Sequence, residues 1–142
     1  MPELRKDPIV ERWVIVNTEN PYTPSDFHLE EHVWKGEENC PFCSGHEQMT
    51  PSEIEAVRDA PGSPNAPGWK LRVIPNKFPA LRIEGELDKR GLGVFDRLNG
   101  IGAHEVIIDN PAHFKGLGDL APQEIELVIR AYRSRSMDLR KD

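Results

Sequence analysis

Cysteine is scarce in this sequence, with two residues among 142. That excludes a disulfide-stapled scaffold, which uses many more in a chain this short. Long apolar runs are missing too. Nothing approaches the ~18 residues a spanning helix needs, and Met1-Pro2-Glu3-Leu4-Arg5-Lys6 has no apolar stretch behind it to act as an export signal. Positive charge is in deficit. The 18 Lys and Arg stand against 24 Asp and Glu, a formal charge of −6, which argues against a general nucleic-acid or anionic-membrane binder. A phosphate loop is also lacking: Gly91-Leu92-Gly93 is followed by no Gly-x4-Gly-Lys and no helix pattern. With no export signal and cysteines at metal spacing, a reducing cytoplasm is the expected compartment.

What cysteine there is falls in one place, Cys40-Pro41-Phe42-Cys43-Ser44-Gly45. At Cys-x2-Cys spacing a tight turn directs both sulfurs at one point, the arrangement that holds a metal ion. Pro41 stiffens the turn, and Gly45 permits the positive φ such knuckles use. Zinc takes four ligands, and no second Cys-x2-Cys supplies the rest. The remaining candidates are His28, His32, His46, His104 and His113, of which His104 and His113 bracket an apolar strand. Two readings compete with metal: a pair of buried thiols, and a redox dithiol. The redox reading lacks the strand before the pair and the helix directly after it.

The rest of the chain has the length of one domain, residues 1–142, able to bury about 68% of its unfolded surface. A charged arm leads into Arg12-Trp13-Val14-Ile15-Val16-Asn17, a β-branched strand. Residues 28–38 are polar and aperiodic and read as a surface connection. Thr50-Pro51-Ser52-Glu53 has the form of a capping box with proline at the first helical position, so a short helix is expected over Pro51 to Arg58. The Pro- and Gly-rich run from Ala60 to Gly68 is a loop. Trp69-Lys70-Leu71-Arg72-Val73-Ile74 alternates as a strand with Trp69, Leu71 and Val73 on one face. Pro75 and Pro79 then hold Asn76 and Lys77 on a rigid tip, where an amide and an ammonium reach toward a phosphate or a base. A solvated lysine in a turn is the competing reading. Gly91 to Asp96 and Ala103 to Asp109 read as further strands, the second ending at Asn110-Pro111-Ala112-His113. From Pro122, Ile125, Val128, Ile129 and Tyr132 fall on one helical face, and Arg133 to Asp142 is polar enough to fray. Strands followed by helices at this spacing predict an α+β fold, with helices on one face of an antiparallel sheet.

Four blocks in fixed order resemble the N-terminal half of galactose-1-phosphate uridylyltransferases. They are Leu4-Arg5-Lys6-Asp7-Pro8 with Arg12-Trp13-Val14-Ile15, the block from Cys40 to Pro51, Trp69 to Leu81, and Gly102 to His113. The resemblance implies a histidine-triad-like antiparallel sheet, zinc as cofactor, and Cys40, Cys43 and His113 as its ligands. It also implies Met49, Asn76 and Lys77 as contacts to the nucleotide-sugar. Family members pass a uridylyl group from UDP-glucose to a histidine and on to a hexose-1-phosphate in galactose metabolism. That histidine and the fourth zinc ligand lie in a His-x-His motif, and no His-x-His occurs in these residues. The chain thus corresponds to a first half without the catalytic motif, whose implied partner is a second copy or a complementary C-terminal half. Where the family has two nucleotide-holding arginines, this chain has Asn20-Pro21-Tyr22-Thr23-Pro24. Trp69 to Ile74 also resembles the relatives that phosphorolyse ADP-glucose, which is the alternative enzymatic reading. A non-catalytic zinc-binding module, or half of a split enzyme, is the alternative outside catalysis.

Overall fold

The computed structural model describes residues 2–19, 21–27 and 36–141. The expected surface connection over 28–38 thus lies mostly outside the described residues, as do His28 and His32. Seven strands and one α-helix follow along the described chain: β1 (Glu3–Lys6), β2 (Trp13–Val16), β3 (Glu55–Arg58), β4 (Trp69–Pro75), β5 (Arg90–Leu92), β6 (Phe95–Asn99), β7 (Glu105–Ile108) and α1 (Pro122–Asp138). Every strand pairing is antiparallel. The class is α+β, as the pattern of elements predicts. Among the described residues no helix is long and apolar enough to cross a membrane.

The chain forms two compact units, each from two stretches. The first comprises Met1–His32 with Phe78–His104 and carries a four-stranded sheet in the order β2-β1-β6-β5. The charged arm of the sequence is the second strand of this sheet. Its ions are used rather than solvated: Glu3, 9% exposed, pairs with Arg5 and with Arg97 across the ladder at 3.0 Å each. The expected strand at Gly91 to Asp96 is a hairpin, β5 turning at Gly93 (φ +61°) into β6. His104 closes this unit's second stretch, where its Nδ1 accepts the Ala80 amide at 3.0 Å.

The second unit comprises Val33–Lys77 with Glu105–Asp142 and carries a three-stranded sheet, β3-β4-β7. Here β4 is central and buried along its length except at Lys70 and Pro75. On one face Leu71 and Val73 pack against Val128 and Ala131 of α1 and against Leu120. The helix is therefore held through Val128, Ala131 and Ile125, whereas Ile129, expected on the buried face, is 58% exposed. Its C-terminal turns do not fray at Arg133. They continue to Asp138 because the Arg135 guanidinium grips Glu105 of β7 through two bonds of 2.8 and 2.7 Å.

Two expectations fail on this sheet. The helix expected over Pro51 to Arg58 is instead strand β3, paired with β4 from Glu55↔Val73 to Arg58↔Trp69. Glu53 does not cap a helix; its carboxylate is drawn to Arg58 and Arg72, and its N–H donates to Asn65. Pairing with a buried strand outweighs a local helix signal of this length. The second failure is the face of Trp69. Val57 pairs with Leu71 and Arg58 with Trp69, so Lys70 is an extra residue, a β-bulge. The bulge reverses the alternation. Trp69 leaves Leu71 and Val73 and joins Ile74 and Ile108 on the opposite face.

Candidate metal centre

The knuckle from Cys40 to Thr50 is a chain of tight turns. The Cys43 N–H donates to the Cys40 carbonyl at 3.3 Å and the His46 N–H to the Cys43 carbonyl at 3.2 Å. The ring of His46 closes the loop by donating from Nδ1 to the Cys40 carbonyl at 2.7 Å. Gly45 sits at φ +96°, where a Cβ-bearing residue would be strained although space around it is open. Below the turns, two side chains from the bulged face of β4 hold the segment. The Trp69 indole donates to Glu47 Oε1 at 2.7 Å, and the Arg72 guanidinium donates to Thr50 Oγ1 at 2.8 Å.

The opposite wall comes from the segment after β7. Asn110 organises it, accepting the Ala112 amide at 2.9 Å and donating to the Lys115 carbonyl at 2.9 Å. His113 stands at the crest of that turn, with Phe114 edge-on to its ring at 4.6 Å between centroids. Lys115 then binds Glu124, whose Oε2 accepts the Ala121 amide at 2.7 Å and so anchors the start of α1.

Between the walls, Cys43 Sγ lies 3.3 Å from His113 Nδ1. One atom each from Cys40, Cys43 and His113 falls within 4.8 Å of the other two. Two sulfurs and an imidazole nitrogen are the donors a tetrahedral zinc ion takes, and their convergence without rearrangement fits such an ion. Burial is the first cause pushing the Cys43 thiol up, to about 11, followed by its contact with Cys40 and the negative charge of Glu37. In the metal-free chain it is therefore a thiol at neutral pH. Among the described residues, the geometry separates the histidines that spacing left undivided. His113 joins the sulfurs, His46 is turned onto a carbonyl, and His104 serves the first unit.

The other expected site residues occupy two loops of the second unit. Met49 is exposed at the end of a single 3-10 turn within the knuckle, and Asn76 and Lys77 follow directly after β4, the first half-buried and the second exposed. Glu47 escaped the sequence reading. An acid four residues past a cysteine carries no motif, and its partner Trp69 lies 22 positions away.

No family model matches the sequence. Among curated proteins, an ADP-glucose phosphorylase from Arabidopsis thaliana is 37% identical over 138 residues, which is 94% of this chain. Two solved Arabidopsis thaliana structures cover nearly all of the chain. An ADP-glucose phosphorylase with bound ADP-glucose matches at 34% identity and TM-score 0.58 over 100% of it, and a GalT-like protein at 35% and 0.57 over 99%. The chain is thus a homologue of ADP-glucose phosphorylase and of GalT-like proteins, which are similar to galactose-1-phosphate uridylyltransferases. A structure of a uridylyltransferase shares the fold at TM-score 0.56 and 21% identity, over 96% of this chain and 34% of its own length. The chain spans 38% of the length of the curated phosphorylase, and 39% and 37% of the two Arabidopsis thaliana structures.

Proposed function

We propose that this chain forms the zinc-binding and nucleotide-sugar-binding part of a nucleotidyltransferase that acts on ADP-glucose. The observation that carries the reading is the 37% identity to an ADP-glucose phosphorylase along 94% of the chain. The alternative, uridylyl transfer from UDP-glucose to a hexose-1-phosphate, has a fold-level likeness at 21% identity in its support. It also lacks the two arginines, since Asn20 to Pro24 occupies their place.

In this reading Cys40, Cys43 and His113 hold zinc, which when bound locks the knuckle to the turn after β7. The chain's own residues do the binding. Lys77 neutralises the diphosphate as a point charge, Asn76 offers an amide donor and acceptor beside it, and Met49 gives the base an adaptable apolar contact. Pro75 and Pro79 limit how far this tip can move.

Metal analysis of freshly reduced protein should find about one zinc per wild-type chain and a large loss in Cys40→Ser. Equal metal in both would remove the site. Calorimetry should then find ADP-glucose binding more tightly than UDP-glucose, and the reverse order would restore the uridylyl reading. Lys77→Ala should weaken ADP-glucose binding about 10-fold or more, the value of one hydrogen bond to a charged group, and leave Tm nearly unchanged. A sharp drop in Tm with binding unchanged would instead make the tip structural.

A further inference from the structure

The Cys40–Cys43 turn owes its position to a buried carboxylate that no metal-ligand motif contains. We propose that Glu47 is the positioning residue of the metal centre: it ties the knuckle to β4 and so sets metal affinity. The inference rests on the zinc reading above and deepens it.

Glu47 is 2% exposed. Oε1 accepts the Trp69 indole N–H at 2.7 Å, and both oxygens accept the Gly45 N–H at 3.1 Å. Taking a carboxylate out of water is costly, and no lysine or arginine bonds it directly among the described contacts. An apolar side chain would fill the same space at lower cost. What the carboxylate adds is acceptor capacity in two directions, toward the knuckle and toward the sheet. Gly45 lies two residues after Cys43, so the amide that Glu47 fixes is on the metal turn itself. Trp69 is available as the second anchor because the bulge at Lys70 turns it onto this face. His113 is referenced to the same strand, since β7 pairs with β4 from Arg72↔Ile108 to Pro75↔Glu105. Both sides of the donor set are thus measured from β4, and on the cysteine side Glu47 is the link nearer the metal turn, with the Arg72 bond to Thr50 beyond it. Residues that orient metal ligands in this way change affinity about 10–100-fold when removed.

Glu47→Gln is close to isosteric and replaces one acceptor oxygen with a donor, setting donor against donor at Trp69 or Gly45. Trp69→Phe keeps an aromatic ring and removes the indole donor. Cobalt(II) titration followed by the thiolate-to-cobalt charge-transfer band reads the site directly, and circular dichroism of the metal-free protein confirms folding at the same temperature. Both variants should bind cobalt about 10–100-fold more weakly while folded, with an altered band. The double variant should be little worse than the weaker single one, because the two substitutions break one link. Unchanged affinity and spectrum in folded Glu47→Gln would overturn the proposal. If that variant does not fold, unchanged affinity in Trp69→Phe has the same force. A wild-type chain that takes up no cobalt would overturn the metal reading itself, and this inference with it.

Discussion

Arg72→Met is expected to destabilise the second unit by about 3–5 kcal/mol, the cost of breaking a buried ion pair from one side. Arg72 is 1% exposed. Its guanidinium donates to Glu53 at 3.1 Å, Thr50 at 2.8 Å and Asn65 at 3.1 Å. Methionine fills the channel but leaves Arg58 as the cation on the Glu53 carboxylate, takes the Arg72 donor from Thr50 Oγ1, and leaves Asn65 Oδ1 to the Glu53 N–H. Thermal unfolding should move down by about 6–20 °C in a chain of this size. Arg130→Met breaks an exposed pair with Glu126 and should cost no more than about 1 kcal/mol. If the two variants melt together, the buried network is not what holds this unit.

The acid limb offers a second readout of the same network. Burial by itself would raise the Glu53 carboxyl, but bonds from Arg58, Arg72 and the Asn65 contact hold it below the usual range. A depressed carboxylate contributes stability above its unfolded pKa and loses it as pH falls through the folded one. Wild type should therefore weaken as pH drops below the ordinary carboxylate range, and Arg72→Met should weaken less steeply there.

The parts of the fold that the sequence disclosed are those with local causes. Cys40 and Cys43 are close in sequence, β4 and β7 are apolar runs bounded by turn formers, and α1 opens with Pro122 and repeats at helical spacing. The parts it concealed depend on distant partners. Glu3-Leu4-Arg5-Lys6 looks solvated until Arg97 arrives to share Glu3. Thr50 to Glu53 mimics a helix start because the same oxygens that cap helices also serve Arg72. Trp69 shows strand alternation, and only the register against β3 reveals the extra residue that turns it around. The candidate metal site was legible as a half. Its third donor needed the resemblance to choose His113 over His104, and the geometry now makes that choice on its own.

The 142-residue chain by itself is expected to transfer no nucleotidyl group. Phosphorolysis through a histidine has two steps. An imidazole nitrogen attacks the α-phosphorus of ADP-glucose, the bond from that phosphorus to the bridging oxygen breaks, and glucose-1-phosphate leaves with the electron pair. An oxygen of inorganic phosphate then attacks the same phosphorus, the P–N bond breaks, and ADP leaves. The nucleophile must be a neutral imidazole with one nitrogen aimed at the phosphorus. None of the described histidines fits. His113 converges on the sulfurs, His46 is held on the Cys40 carbonyl, and His104 accepts the Ala80 amide. Binding groups without a nucleophile leave at most a small rate over water. Incubation with ADP-glucose and labelled glucose-1-phosphate should therefore give neither an adenylylated protein mass nor label exchange. Adding a polypeptide that carries the His-x-His part of a full-length relative should switch both on. Either signal from the chain alone would overturn this, and His46 and His104 would then be the first residues to replace.

The interleaving of the two units dictates an order of events as the chain leaves the ribosome. Leu4 of β1 waits for Leu98 of β6, about ninety residues later. Leu71 and Val73 wait for Val128 and Ala131, which come more than fifty residues after them. Neither unit can close on its first stretch, so the apolar run of β4 is synthesised well before its cover. A nascent chain with these contacts is slow to commit and open to strand-on-strand aggregation in the interval. Lys70, which the bulge leaves exposed near the start of that run, adds its charge to that of Arg72 inside the stretch most prone to such pairing.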